Sequence, residues 1–295
     1  MKLAFLVLAH KLPQQLHTLL TLLQDPDCEV FLHVDAASTA ITAAELAQLA
    51  ALPQVHCLTE RRAVQWGNFQ QIQATLDLLR AAHAHGPFDR YLLLSGQDLP
   101  LRPPAAMRAF FGAHPDQQFL ECFQLPAPDR WSGAGGLERL ELYWLDAPWH
   151  GLNRALHGTQ RLLRWRRRLD GGTFHGGANW FNLTGPCVAW LLTYLADNPG
   201  FLPMFHHSRC ADEILVQTLV MRSPFAAQLV AEPLRFVNWR DGPEFPRTLR
   251  LVDLPALLAD GRALFARKFD PDVDAEVGAA LVAAVWQRSA AVPPR

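Results

Sequence analysis

Seven consecutive apolar residues, Leu3–Ala9, stand between Lys2 and His10. A strand covered on both faces reads this way. Residues 13–24 then place Leu16, Leu19, Leu20 and Leu23 at helical spacing. A second apolar run, 29–34, ends in "HVD". Residues 42–51 read as a helix and 55–58 as a short strand. The stretch "WGNFQQIQATLDLLRAAHAHG" aligns Phe69, Ile72, Leu76 and Leu79 on one stripe. Asn68 as N-cap with Gln71 at N3 predicts a capping box, and Gly86-Pro87 stops the helix. Residues 91–94 form a fourth strand, followed by "SGQDLPL". Strands and helices alternate, which predicts an α/β fold with a mostly parallel, Rossmann-like sheet and helices on both faces.

The second half is less regular. Residues 119–122, 178–184 ("ANWFNLT") and 234–239 ("LRFVNW") read as strands, and 272–287 as a closing helix. "RLLRWRRR" (161–168) reads as a basic amphipathic helix. Residues 123–152 are rich in Pro, Gly and Trp, and long loops of that kind are often functional. No internal repeat or linker divides the chain, so 1–295 is expected to be one domain.

Composition narrows the classes. The chain has 295 residues, half of them hydrophobic, enough for a large core. A formal net charge of −1 gives no global reason to expect nucleic-acid binding. Five scattered cysteines without a CxxC pair argue against a disulfide framework or zinc site and fit a reducing compartment. Leu3–Ala9 lacks a cleavage site after it, and no stretch approaches the roughly 20 apolar residues of a membrane span. The expectation is a soluble, cytoplasmic protein.

In open α/β sheets, ligands bind beyond the carboxyl ends of the strands. His10, Asp35 and the run Ser95-Gly96-Gln97-Asp98 occupy such places. No GxGxxG turn or P-loop is present, which disfavours a nicotinamide oxidoreductase. "DPD" (25–27) reads as a turn and "DPDVD" (270–274) as a helix cap, and no histidine pair has metal spacing on a clear helix. No metal and no cofactor is therefore expected. Phosphate charge would fall to cationic side chains, and 245–270 supplies Arg247, Arg250, Arg262, Arg267 and Lys268.

Asp212 and Glu213 head the apolar run Ile214-Leu215-Val216. As structure they are an N-cap and a first-turn acid. As chemistry, one of them is a rigidly held general base. Trp66, Trp180 and Trp239, with Asp98 and Asp212, are candidate donor or acceptor contacts. The alternative for the tryptophans is buried aromatic packing.

In family order, "AFLVLAHKLPQQL", "VFLHVDAAS", "RRAVQWGNFQQIQATLDLL", "YLLLSGQDLPL", "GGANWFNLT", "ADEILVQTL", "LRFVNW" and "LFARKFD" resemble glycosyltransferase family 14. These are the core-2/I-branching N-acetylglucosaminyltransferases and peptide O-xylosyltransferases. The resemblance covers nearly the whole chain. It implies a GT-A-like fold, an inverting and metal-independent transfer, and a UDP-sugar donor carrying N-acetylglucosamine or xylose. It further implies that Glu213 is the general base, that Lys268 and Arg247 (or Arg250) contact the donor diphosphate, and that Asp35 contacts the nucleotide, next to His10. The acceptor would be a hydroxyl on a glycan, peptide or lipid-linked saccharide. Residues 1–122 would form the nucleotide-binding half and 123–295 the acceptor-binding and catalytic half. Animal members carry an anchor, a stem and disulfides; none of these is expected here, and the chain resembles the compact bacterial homologues.

Two rival readings accompany this one. The first is a non-catalytic sugar- or nucleotide-binding module that kept the fold. The second concerns Arg161, Arg164, Arg166, Arg167 and Arg168. These either dock peripherally on the anionic inner face of the cytoplasmic membrane or form a solvated helix face.

Overall fold

Strand β1 (Leu3–Ala9) lies inside a seven-stranded sheet, and its side chains alternate between two cores. Leu3, Phe5 and Val7 join one cluster, and Ala4 and Leu6 the other. That period of two explains why the run is apolar throughout. The computed structural model describes residues 1–145, 150–169, 172–239 and 246–290.

The first half follows the predicted alternation. Helix α1 (Pro13–Leu22) leads to β2 (Cys28–Val34), α2 (Ala43–Ala50), β3 (Val55–Cys57), α3 (Phe69–His85) and β4 (Arg90–Ser95). β5 (Asp98–Pro100), α4 (Pro104–Ala113), β6 (Gln118–Leu120) and β7 (Phe123–Gln124) follow. Two single turns, α5 (Ser132–Gly135) and α6 (Glu138–Glu141), precede α7 (His150–Leu162). The chain continues through β8 (His175–Gly176), β9 (Phe181–Thr184), α8 (Gly185–Asp197) and α9 (Asp212–Arg222). It closes with β10 (Leu229–Val230), β11 (Arg235–Val237), α10 (Leu254–Ala259), β12 (Phe265–Arg267) and α11 (Ala275–Ala290).

The main sheet runs β10-β6-β9-β4-β1-β2-β3, parallel except for β9, which is antiparallel to both β4 and β6. Helices α3, α8 and α9 pack on one face and α1 and α4 on the other. This is a mixed α/β architecture consistent with a GT-A-like fold. A second sheet, β11-β12-β5, lies at the carboxyl end of β4 and packs against α10 and α11 through Leu99, Leu257, Phe269 and Leu281. "SGQDLPL", to which the sequence pattern assigns no element, thus supplies a strand. Its partner is about 165 residues away, Leu99 pairing with Ala266, and three-residue strands carry no periodic signal.

Two local expectations are corrected. The stretch 161–168 is not a helix, because α7 ends at Leu162. Arg164 is left-handed (φ 51°), the N–H of Trp165 bonds the Gln160 carbonyl (2.9 Å), and that of Arg164 bonds Arg161 (3.2 Å). This is a Schellman stop, made here by arginine in place of the usual glycine. Arg167 consequently turns inward, donating to the carbonyls of Leu140 (3.1 Å) and Met204 (2.6 Å). The capping box at α3 is also incomplete. Asn68 accepts from the Gln70 N–H (3.1 Å), but the Gln71 amide donates to Asp212 (2.6 Å) instead of closing the box. Residues 146–149 of the Pro/Gly/Trp-rich loop lie outside the described residues.

Candidate functional site

The carboxyl ends of β1, β2 and β4 open toward one rim, and the second sheet brings the chain's late cations to it. After β1, His10 and Lys11 lead into α1. Desolvation and the Lys11 charge hold the His10 imidazole below its ordinary pKa, with Lys268 adding to them and Asp35 opposing. These four residues therefore share one electrostatic neighbourhood. Asp35 follows β2 and accepts from the N–H groups of Ala37 (2.8 Å) and Val64 (3.3 Å), which fixes its loop.

Phe269 N–H bonds the Gln97 carbonyl (2.9 Å), placing Lys268 beside the end of β4. The Lys268 ammonium is half-buried, and desolvation, Lys11 and Arg267 lower its pKa. Lys11 is balanced by Asp270 at 2.7 Å. Arg247 is tied to the same edge: its N–H bonds Asn238 (2.8 Å), just past β11, and its guanidinium pairs with Asp253. With Trp239, which is about half exposed, it lines a cleft of about 630 Å³. Arg250 is exposed and reaches the field of Asp274.

Asp98 does not face this cleft. It is fully buried, paired with Arg235 and, at 3.2 Å, with Arg267. Trp180 is also buried, and both guanidinium groups lie near its ring, 4.6 Å and 4.3 Å from the centroid. A buried carboxylate with two cations is a rigid buttress, costly to break by removing one member. It fixes Arg267, whose charge reaches Glu213.

Asp212 and Glu213 open α9, but neither acts as a side-chain cap; Ala211 is the N-cap residue. Asp212 is buried and accepts from Gln71 (2.6 Å) and Asn179 (3.2 Å), while its Oδ1 has no hydrogen-bond partner. Burial, then the neighbouring Glu213 charge, pushes its carboxyl up to about 7. Glu213 is a third exposed at its side chain and accepts from Arg139 at 2.6 Å. Burial raises its pKa and the Arg139 charge opposes the rise.

Arg139 itself lies over Trp131, 3.8 Å from the ring centroid. That indole fits only because its neighbours are glycines. A Cβ at Gly136 would come within 2.2 Å of the ring and one at Gly176 within 2.5 Å. Beside it, Arg209 sits between Trp66 and Trp144, 4.9 Å from each ring. Trp66 is 59% exposed and so remains open to a ligand face. Of the expected residues, Asp35, His10 and Lys268 gather at one rim and Glu213 with Arg267 at its continuation. Asp98 and Trp180 lie beneath.

A family model for Core-2/I-Branching enzymes matches residues 3–257. The chain belongs to this family. Lys268 lies beyond the matched residues. Among curated proteins, xylosyltransferase 1 of Homo sapiens and that of Pan troglodytes are each 24% identical over 242 residues, 81% of this chain and 24% of theirs. Xylosyltransferase 1 of Rattus norvegicus matches at 24% identity over the same share of this chain and 28% of its own length. The chain spans about a quarter of the length of these relatives.

Within this family member, sequence reasoning missed Arg139. It lies in a glycine-rich stretch with no hydrophobic period, and only the tertiary contact with Glu213 reveals it. Gln71 was read as a cap and is an Asp212 ligand instead. The signal available was its position opposite "ADEILVQTL", which no spacing rule encodes.

Proposed function

We propose that this Core-2/I-Branching family member is an inverting glycosyltransferase that moves a sugar from a UDP-sugar to an acceptor hydroxyl. The observation that carries the reading is the placement of Glu213. It is partly buried, accessible, held at 2.6 Å by Arg139, and on the same rim as Lys268 and Arg267. Burial makes the carboxylate a stronger base, and the Arg139 charge favours its ionised form.

In the proposed step, Glu213 takes the proton of the acceptor hydroxyl as that oxygen forms its bond to the anomeric carbon. The bond from that carbon to the diphosphate oxygen breaks on the opposite face. UDP leaves with the electron pair, and Lys268 and Arg247 balance the growing charge. Asp35 and His10 bind the nucleotide, and the buried Asp98–Arg235–Arg267–Trp180 group positions the rim. Metal independence is part of the proposal. Its support is that the acids along this rim already have partners: Asp98 in arginines, Asp270 in Lys11 and Asp35 in backbone N–H groups. The charge of the phosphates is then met by the Lys268 and Arg247 side chains at this rim.

The donor sugar is proposed to be xylose or N-acetylglucosamine, and the acceptor a glycan, peptide or lipid-linked saccharide. Trp66 and Trp239 are the exposed aromatic faces available to them. The proposal includes peripheral contact with an anionic membrane surface. Leu162 (83% exposed), Leu163 and Trp165 project among the exposed Arg161, Arg164, Arg166 and Arg168. Apolar groups ringed by cations fit such a surface. Among the described residues no helix is long and apolar enough to cross a membrane.

The decisive experiment measures UDP release from a panel of UDP-sugars with candidate acceptors, in the presence of EDTA. Release with at least one donor is expected. UDP binding without turnover across the panel would instead favour a non-catalytic nucleotide-binding module, and turnover abolished by EDTA and restored by Mn²⁺ would overturn metal independence.

A further inference from the structure

Glu29 of β2, His56 of β3 and His85 at the end of α3 meet at the outer edge of the main sheet. Each offers one ligand-type atom, and these atoms lie within 4.8 Å of one another. We propose that the three residues form a binding site for a divalent transition-metal ion, with Zn²⁺ the best match.

The donor set carries the assignment. Two imidazole nitrogens and a carboxylate oxygen suit Zn²⁺, with a fourth position left for water or a small ligand. Two ligands of a tetrahedral ion with bonds near 2.0–2.1 Å lie roughly 3.3 Å apart. His56 Nε2 is already 2.8 Å from Glu29 Oε2. An ion entering between them replaces the shared proton, which leaves to solvent, and spreads the two atoms by about half an ångström.

The rings are also held in advance. Phe31, a core residue and the register partner of His56, stacks on that ring at 4.9 Å and meets His85 edge-on at 5.5 Å. The two imidazoles are 4.3 Å apart, centre to centre. A site ordered by the core loses little entropy on binding. Its open side faces a cavity of about 540 Å³ lined in part by Thr59, Asp77 and Arg80. Asp77 is paired with Arg62 and Arg80, so it does not compete for the ion.

This site is separate from the donor rim. Glu29 and Asp35 lie six residues apart along and just beyond β2, roughly 20 Å of extended chain. The ion would clip β2, β3 and α3 together and would not touch the diphosphate.

The test uses the tag-free full chain, stripped with EDTA, dialysed, and titrated with ZnCl₂ by calorimetry. Co²⁺ serves as a spectroscopic probe of tetrahedral geometry. One ion per chain at micromolar or tighter Kd is expected, with melting raised by about 5 °C near saturation. His85→Ala, at an exposed position, and Glu29→Gln, which keeps a hydrogen bond to His56, should each weaken binding about tenfold or more. Both should melt like the parent without metal and release UDP at the parent rate, which separates this test from that of the transferase reading. Absence of saturable binding would overturn the site, as would unchanged affinity in both variants.

Discussion

The Arg139 guanidinium lies between Trp131 and Glu213, 3.8 Å from the indole centroid and 2.6 Å from the carboxylate. The ring fixes the cation, and the cation favours the ionised form of the acid against the effect of burial. If Glu213 is the base, Arg139 sets the pH at which it works. Arg139 favours ionised Glu213, so its removal raises the Glu213 pKa. Arg139→Ala should move the acidic limb of the kcat–pH profile to higher pH, and Arg139→Lys less far. An unmoved limb with reduced kcat would assign Arg139 to packing alone.

Glu213→Gln should fold and bind UDP as the parent does, since the amide is close to isosteric. Transfer should fall by about 10²–10⁴-fold. Calorimetry with UDP and initial rates check the two halves of this statement, and near-parental turnover removes Glu213 from the mechanism.

Lys268→Ala should weaken UDP binding while leaving uridine binding close to parental, because only the former carries the diphosphate. Equal UDP affinity in parent and variant counts against a phosphate contact.

Asp212 should leave a signature in stability. Its folded carboxyl titrates at about 7, above the ordinary value of 3.8. Between these values the folded state holds the proton and the unfolded chain does not. Stability therefore falls as pH rises through this window and levels off above it. Asp212→Asn stays neutral throughout, so urea midpoints measured across the window should lose that decline.

The patch of Leu162, Leu163 and Trp165 with its arginines should bind vesicles containing anionic lipid and release them at high salt. Trp165→Ser combined with Arg161→Gln and Arg164→Gln should abolish sedimentation with them. Binding indifferent to both lipid charge and salt rejects the membrane contact.

Much of the first half was legible because its signals are local. β1, β2 and β4 are apolar runs, α3 has a clean stripe, and their order fixes a parallel sheet. The strand ends then located His10 and Asp35. What failed were residues whose roles depend on distant partners. Asp98 reads as an open strand-end acid until Arg235 and Arg267 arrive from the far end of the chain to bury it. Arg139 has no periodic context at all. The basic run 161–168 looks helical because its spacing is helical, yet the turn at Arg164 follows from backbone hydrogen bonds rather than composition. The proposed metal ligands 29, 56 and 85 come from three elements, so no spacing motif joins them.

The insertion of β9 between β4 and β6 bears on how the polypeptide is made. Synthesis delivers β4 and β6 long before residues 181–184, so a ribosome-bound intermediate carries two unsatisfied strand borders for some sixty residues of elongation. Such borders recruit other nascent polypeptides. Production of this protein should therefore depend on chaperone capacity and translation speed more than the stability of its finished sheet would suggest.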